Sequence, residues 1–157
     1  MLLERRGLMQ KINILPLEKK DIFEIVKLEK LYFSQPWSEK AFLDAFDGGN
    51  SYFVVAKITG NLIVGYGGMY SAGSEGYVYN IAVREDFRGQ KIGQAIIKKL
   101  VDYSFEKNLE FLSLEVRASN ISAINLYKKM GFKIIGERKN FYSFPKEDAL
   151  IMTLFLK

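Results

Sequence analysis

The chain contains no cysteine and no histidine. The first absence removes disulfides, thiolate nucleophiles and Cys-ligated metals. The second removes the serine–histidine hydrolases and most zinc enzymes. Any general base must then be a carboxylate, an amine, a tyrosine or an ordered water chain. Long hydrophobic runs are missing as well, and nothing approaches the length of a membrane span. The opening MLLERRGLM has two arginines with no apolar core behind them, so it does not read as a signal peptide. Repeats, low-complexity segments and Pro/Gly/Ser-rich linkers are also absent. These absences leave a cytoplasmic domain without metal or membrane partner, one that either binds a cofactor or is purely structural.

The 157 residues are 48% hydrophobic and 26% charged, as in an ordinary globular protein with a substantial core. The expectation is one domain over residues 1–157, with residues 1–8 as a flexible tail and Met9 as an alternative start. The net charge of +5 suits an anionic ligand such as CoA or a ribosome-associated partner. Scattered lysines equally make an ordinary solvated surface. No long basic run is present, so direct nucleic-acid binding is not expected.

Residues 77–105 organise the rest. YVYNIAV is aromatic and β-branched enough for a strand buried on both faces. Ile92, Ala95, Ile96, Leu100 and Tyr103 then recur at helical steps. Between them, Arg88-Gly89-Gln90-Lys91-Ile92-Gly93, with Gln94 after it, brings a cation and two glycines to a helix start. Unpaired N–H groups and the positive dipole end make such a start an anion site. The same glycines would also serve a plain strand–turn–helix connection. The segment is neither a Walker loop nor the Gly-x-Gly-x-x-Gly dinucleotide fingerprint. It resembles the Gln/Arg-x-x-Gly-x-Gly/Ala pyrophosphate loop of the GNAT superfamily of acetyl-CoA-dependent N-acetyltransferases. Lys91 stands where that family usually has its middle glycine, and it either tightens the backbone or adds a charge for a phosphate.

The remaining elements can be placed in order. Residues 11–15, ending at Pro16, read as an edge strand. Residues 17–33 carry a helical period through Ile22, Ile25, Val26, Glu29 and Phe33. Ser38 caps a short helix through Phe46, and Asp47-Gly48-Gly49-Asn50 ends it. Residues 52–58 and 62–69 form a hairpin about Gly60-Asn61. The glycines at 65, 67 and 68 mark a bulge or a close backbone approach. FLSLEV (111–116) is a strand parallel to the one before the organising helix. A helix over 121–130, capped by Ser119 or Asn120, closes at Gly131, and residues 133–137 and 149–156 form a final antiparallel pair joined by an aromatic, basic connection. The order β-α-α-β-β-β-α-β-α-β-β resembles the GNAT fold. That resemblance implies an α/β architecture with a mixed central sheet of about seven strands flanked by about four helices.

Three residues stand out chemically. Glu115 lies inside an apolar strand, where a carboxylate is costly unless paired or at a cleft. It is either a strand-end partner of Arg84 or Arg117, or a functional base. Tyr127 shares a helix face with Ala123 and Met130 and is either core filling or a functional hydroxyl. Asn120 is either an N-cap or something more. LEVRASNISAINLYKKMGF resembles the ribosomal-protein alanine N-acetyltransferases of the RimI type, as do PWSEKAF (36–42) and RKNFYSFPKEDALIM (138–152). In that ending Phe141 replaces a tyrosine, which leaves Tyr142 as the surviving hydroxyl.

The resemblance implies Glu115 as proton acceptor, Tyr127 as proton donor and Asn120 as a cofactor contact. It further implies that Ile81, Ala82 and Val83 pair with the amide-rich pantetheine arm if the sheet splays there, with residues 88–94 on the pyrophosphate. Trp37 and Tyr142 would then lie against the peptide. The implied reaction is direct acetyl transfer from acetyl-CoA, in a ternary complex, to the N-terminal alanine of a small-subunit ribosomal protein. An α-amine titrates at about 7.7–8.0, so roughly a third is neutral near a pH of about 7.5, whereas a lysine costs roughly 4 kcal/mol to deprotonate there. The rival readings are the same fold acting on a lysine or small-molecule amine, and a non-catalytic CoA-binding module.

Overall fold

In the computed structural model, which describes residues 1–5 and 8–157, the chain opens with a two-stranded ribbon. Leu2–Arg5 (β1) pairs antiparallel with Leu8–Lys11 (β2). The tail expected over residues 1–8 falls partly on residues 6 and 7, outside the described residues. Of its remainder, residues 2–5 belong to this ribbon, and the Met1 carbonyl accepts from the Ile12 N–H at 2.8 Å.

The chain then runs through Asn13–Pro16 (β3), Ile22–Tyr32 (α1), Glu39–Asp47 (α2), Ser51–Ile58 (β4), Leu62–Ala72 (β5) and Glu75–Val83 (β6). Ile92–Glu106 (α3), Phe111–Arg117 (β7), Ile121–Lys129 (α4), Lys133–Tyr142 (β8) and Glu147–Phe155 (β9) complete it. Seven strands form one mixed sheet in the order β3-β4-β5-β6-β7-β9-β8. The four helices and seven sheet strands follow the expected order, and β3 is the edge strand that Pro16 requires.

Two boundaries differ from expectation. α1 begins at Ile22 instead of residue 17, after a 3₁₀ turn at Lys19–Asp21. The Asp21 carboxylate accepts from the Glu18 N–H at 2.9 Å and pairs with Lys57 at 2.8 Å, both side chains being buried. A charge so committed fixes where the helix can start. β8 also continues to Tyr142, so most of the expected aromatic loop is strand laid against β9.

Period-2 alternation on β4 sends Val54, Ala56 and Ile58 to a core under α3, and Phe53 and Val55 to a second core under α1 and α2. Gly67 lets α3 sit close on β5, since a Cβ there would lie 2.5 Å from Ile96 Cγ2. That close approach is what the strand glycines signalled.

The sheet is interrupted where it matters most. Along β5 and β6, Gly67 faces Ile81 and Met69 faces Val78, so β6 sets two residues, Tyr79 and Asn80, against Gly68 alone. Such a bulge bends its strand. On the other side, β6 pairs with β7 only from Glu75↔Phe111 to Tyr77↔Ser113. Past Tyr77 the two parallel strands part, and a cleft opens between Tyr79–Val83 and Glu115–Arg117.

Candidate active site

Two cavities occupy this cleft. One, of about 650 Å³, lies against the start of α3 and is walled by Ile81, Ala82 and Val83 of β6 and by Asn120, Ala123 and Tyr127 around α4. The other, of about 630 Å³, is walled by Trp37, Tyr79, Glu115, Phe141 and Tyr142. Both include Tyr32, Phe33, Ile81, Asn120, Ala123 and Tyr127 in their linings. The two cavities therefore adjoin along a shared wall that includes Tyr127.

The first cavity collects Arg88, Gly89, Lys91, Ile92, Gly93 and Gln94. Gln90, singled out with them in the sequence, is not on its wall, and its Oε1 is buried without a hydrogen-bond partner among the described residues. Lys91 is the N-cap of α3 at φ 64°, ψ 18°, with no side-chain cap. The left-handed conformation costs an L-residue about 1–2 kcal/mol, which is the physical reason a glycine suits this position. Ile92, Gly93 and Gln94 of the first turn, whose N–H groups have no partner within a helix, line this cavity. The Arg88 Nε donates to the Val83 carbonyl at 2.9 Å, and its guanidinium lies 4.6 Å from the Tyr32 ring centre. The loop is thereby fastened to β6 and α1.

On the other side, Glu115 pairs with Arg138 Nε at 3.2 Å. The partners expected from sequence, Arg84 and Arg117, are both committed elsewhere, and the reason is topological. Arg84 is carried away by the splay of β6 and pairs with Asp86 at 3.4 Å. Arg117 turns to the β8–β9 connection, meeting Glu147 at 3.3 Å and the Pro145 carbonyl at 2.9 Å, with its guanidinium 4.3 Å over the Tyr142 ring.

Burial pushes the Tyr127 hydroxyl up to about 12, so it stays protonated well above neutrality. Tyr142 is likewise pushed to about 12, by burial first and then by the field of Glu115. Asn120 does cap α4, its Oδ1 accepting from the Ala123 N–H at 3.2 Å, while also lining both cavities. Ser34 Oγ donates to the Ser143 carbonyl at 3.0 Å. This bond joins the α1–α2 loop to the β8–β9 connection above the second cavity.

Sequence reasoning missed one residue here. Glu29 is fully buried on α1 and accepts from the Asn80 amide at 2.7 Å, the Trp37 N–H at 3.2 Å and the Tyr66 hydroxyl. Burial and this carboxylate drive the Tyr66 phenol far above its ordinary value. Glu29 thus holds the Trp37 loop and the β6 bulge in one place. The signal was available: a glutamate inside an apolar helical stripe needs partners.

The sequence model of the acetyltransferase (GNAT) family matches residues 22–132, from the start of α1 to the end of the α4 turn. The chain belongs to the GNAT family. It is an acyltransferase of the acetyl-CoA-using kind. Among its GNAT relatives, the Escherichia coli K12 protein named [ribosomal protein bS18]-alanine N-acetyltransferase is 34% identical over 144 residues, 90% of this chain and 96% of that one. The protein of that name from Haemophilus influenzae is 32% identical over 143 residues, 89% of this chain and 96% of that one. The crystal structure of the ribosomal-protein-S18-alanine N-acetyltransferase from E. coli superimposes with a TM-score of 0.84 at 32% identity, covering 94% of this chain and 95% of that one. Among the described residues no group of three or more acidic side chains could hold a metal ion, and no helix is long and apolar enough to cross a membrane.

Proposed function

We propose that this chain acetylates the α-amine of an N-terminal alanine of a small-subunit ribosomal protein, with bS18 the first candidate from the names of its relatives. The observation that favours a peptide over a polyamine is the lining of the second cavity. Its wall is rich in aromatic rings and carries one carboxylate, Glu115, together with the cation of Arg117. A site for a small polycation is ordinarily acid-lined, and this one is not.

In this reading acetyl-CoA lies in the first cavity with its pyrophosphate on residues 88–94, its pantetheine along Ile81–Val83 and a contact to Asn120. The peptide lies in the second cavity against Trp37 and Tyr142, with its amine toward Glu115. The amine nitrogen attacks the thioester carbonyl carbon, the C–N bond forms and the C–S bond breaks. Glu115 takes the ammonium proton, directly or through a water, and Tyr127 gives its proton to the departing thiolate. No acyl-enzyme is required, consistent with the absence of cysteine. The partner is a protein terminus; neither nucleic acid nor membrane enters the reading, and the setting is the cytoplasm where ribosomes are assembled.

Cofactor placement has its own test. Acetyl-CoA at a hundredfold excess over Kd should protect the fold by about 2.7 kcal/mol. A Cβ at Gly93, on the wall of the first cavity, would meet only Val83 Cγ2, at 3.9 Å, so a side chain starts there without a clash. Gly93→Phe should leave the apo Tm in place and abolish the protection. Normal CoA protection in that variant would remove the pyrophosphate from this loop. The function itself is tested by mass spectrometry of ribosomal proteins from cells with and without the gene. One small-subunit protein should lose a single N-terminal acetyl group, and an unchanged acetylation pattern would refute the assignment.

A further inference from the structure

Past Tyr77, the segment of β6 that walls the first cavity has no β7 strand beside it. It stays paired with β5 as far as Val83↔Gly65. Where β7 has parted, the last turn of α1 takes hold of the residues at either end of the segment. At the near end, Glu29 accepts from the Asn80 amide at 2.7 Å. At the far end, the Tyr32 hydroxyl accepts from the Glu85 N–H at 2.9 Å, and the Arg88 guanidinium lies 4.6 Å from the centre of the same ring. Glu29 and Tyr32 are neighbours on the helix surface, and the Phe33 N–H closes their turn on the Glu29 carbonyl at 3.0 Å.

The same turn carries part of the second cavity. Glu29 also accepts from the Trp37 N–H at 3.2 Å, and the Trp37 ring packs on Tyr79 with centres 4.6 Å apart. Glu29 is fully buried and has three partners, so it is the fixed point of the arrangement. Tyr32 lines both cavities, whereas Glu85 lines neither. The bond between these two is exposed. Water would take over the Glu85 N–H if the hydroxyl were removed, so the bond contributes little to the stability of the fold. What it does fix is the distance between the start of the cofactor loop and the turn that holds Trp37.

We propose that Tyr32 is a positioning residue: it ties the start of the cofactor loop to the helix turn that also carries the acceptor wall, and so sets the two ligands at reacting distance. The inference rests on the placement of acetyl-CoA and acceptor proposed for these cavities. A strand that has lost one neighbour bends more easily, and any shift of Ile81–Val83 would carry the thioester away from the amine. A misplacement of about 1 Å costs up to about 10²-fold in rate. With Asn80 held by Glu29 and Glu85 held by Tyr32, one rigid turn staples both ends of the segment.

The bond can be broken from either side. Tyr32→Phe removes the hydroxyl and keeps the ring beside Arg88. Glu85→Pro removes the N–H. Proline suits that site, because Glu85 is the first residue of a short 3₁₀ turn and Arg84 before it, at φ −52°, ψ 137°, lies outside the helical region that a following proline disfavours. With an Ala-initiated peptide as acceptor, each variant should lose up to about 10²-fold in kcat, with the KM for acetyl-CoA and the Tm close to wild type. The double variant should lose no more than the larger single loss, since both changes break one bond. Wild-type kcat in either single variant would overturn the assignment. So would a double loss equal to the product of the two, which would put the Tyr32 hydroxyl on a ligand instead, or a joint fall in Tm and every constant, the mark of a merely structural bond. If the wild type acetylates no such peptide, the peptide reading falls and CoA alone tests the staple. Trp37 is the one tryptophan of the chain and is not on the wall of the first cavity, so CoA there does not cover it. In the CoA complexes, acrylamide should quench its emission more steeply in both variants than in the wild type, and equal quenching in all three would overturn the staple.

Discussion

Glu115→Gln should lower kcat by about 10²–10⁴ while leaving acetyl-CoA affinity nearly unchanged, as for loss of a general base. Glutamine keeps the shape of the side chain beside Arg138 and loses only its charge and basicity. The deficit should shrink as pH rises past about 8, because the α-amine then sheds its proton unaided. Tyr127→Phe should also lower kcat, without that rescue, since its proton goes to the leaving thiolate. The Tyr127 hydroxyl is held at about 12 by burial. The wild-type rate should therefore show no downward limb from this group at the ordinary tyrosine value of about 10. Steady-state pH profiles of the three proteins decide the matter. Parallel profiles for the two variants would reject separate roles for Glu115 and Tyr127.

The second large effect is in the acceptor. A peptide beginning with alanine should be acetylated once, on its α-nitrogen. The same peptide with a blocked terminus and an internal lysine should be slower by about 10³ in kcat/KM. A ratio approaching that size follows from the roughly 4 kcal/mol needed to deprotonate a lysine near neutral pH, at about 1.4 kcal/mol per factor of ten, less the roughly 0.5 kcal/mol that the α-amine itself costs. The cavity offers one carboxylate to meet that demand. Trp37→Ala should raise peptide KM more than it changes the KM for acetyl-CoA, because it removes binding shared by ground and transition states. Tandem mass spectrometry locates the acetyl group. Its appearance on lysine, or turnover of spermidine ahead of every peptide, would transfer the assignment to the rival amine substrates.

Much of this was legible in one dimension because the decisive signals are local. The Ser38 cap, the hairpin about Gly60-Asn61, the helical stripe after Gly93 and a cap at Ser119 or Asn120 are each written within a few residues. All four occur in the structure. The family resemblance was equally local, carried by residues 88–94 and by the stretch from Leu114 to Phe132. Boundaries failed where a distant partner intervened: α1 starts late because Asp21 is bound to Lys57, thirty-six residues away.

What the sequence determined by itself was the chemistry on offer: no imidazole, no thiol, a glutamate in an apolar strand and a tyrosine one helix later. The tertiary structure alone decided how those groups meet. The β6 bulge at Tyr79 and Asn80 and the end of β6–β7 pairing at Tyr77 open the cleft, and both depend on strands that are neighbours only after folding. The partner of Glu115 was decided the same way. Arg138 reaches it because β9 inserts between β7 and β8 and sets the register, whereas Arg84 and Arg117 are drawn off by the splay and by Glu147. Glu29 shows the same physics from the other side. A buried carboxylate must find partners, but nothing along the chain says that they will be Tyr66, Asn80 and the Trp37 backbone.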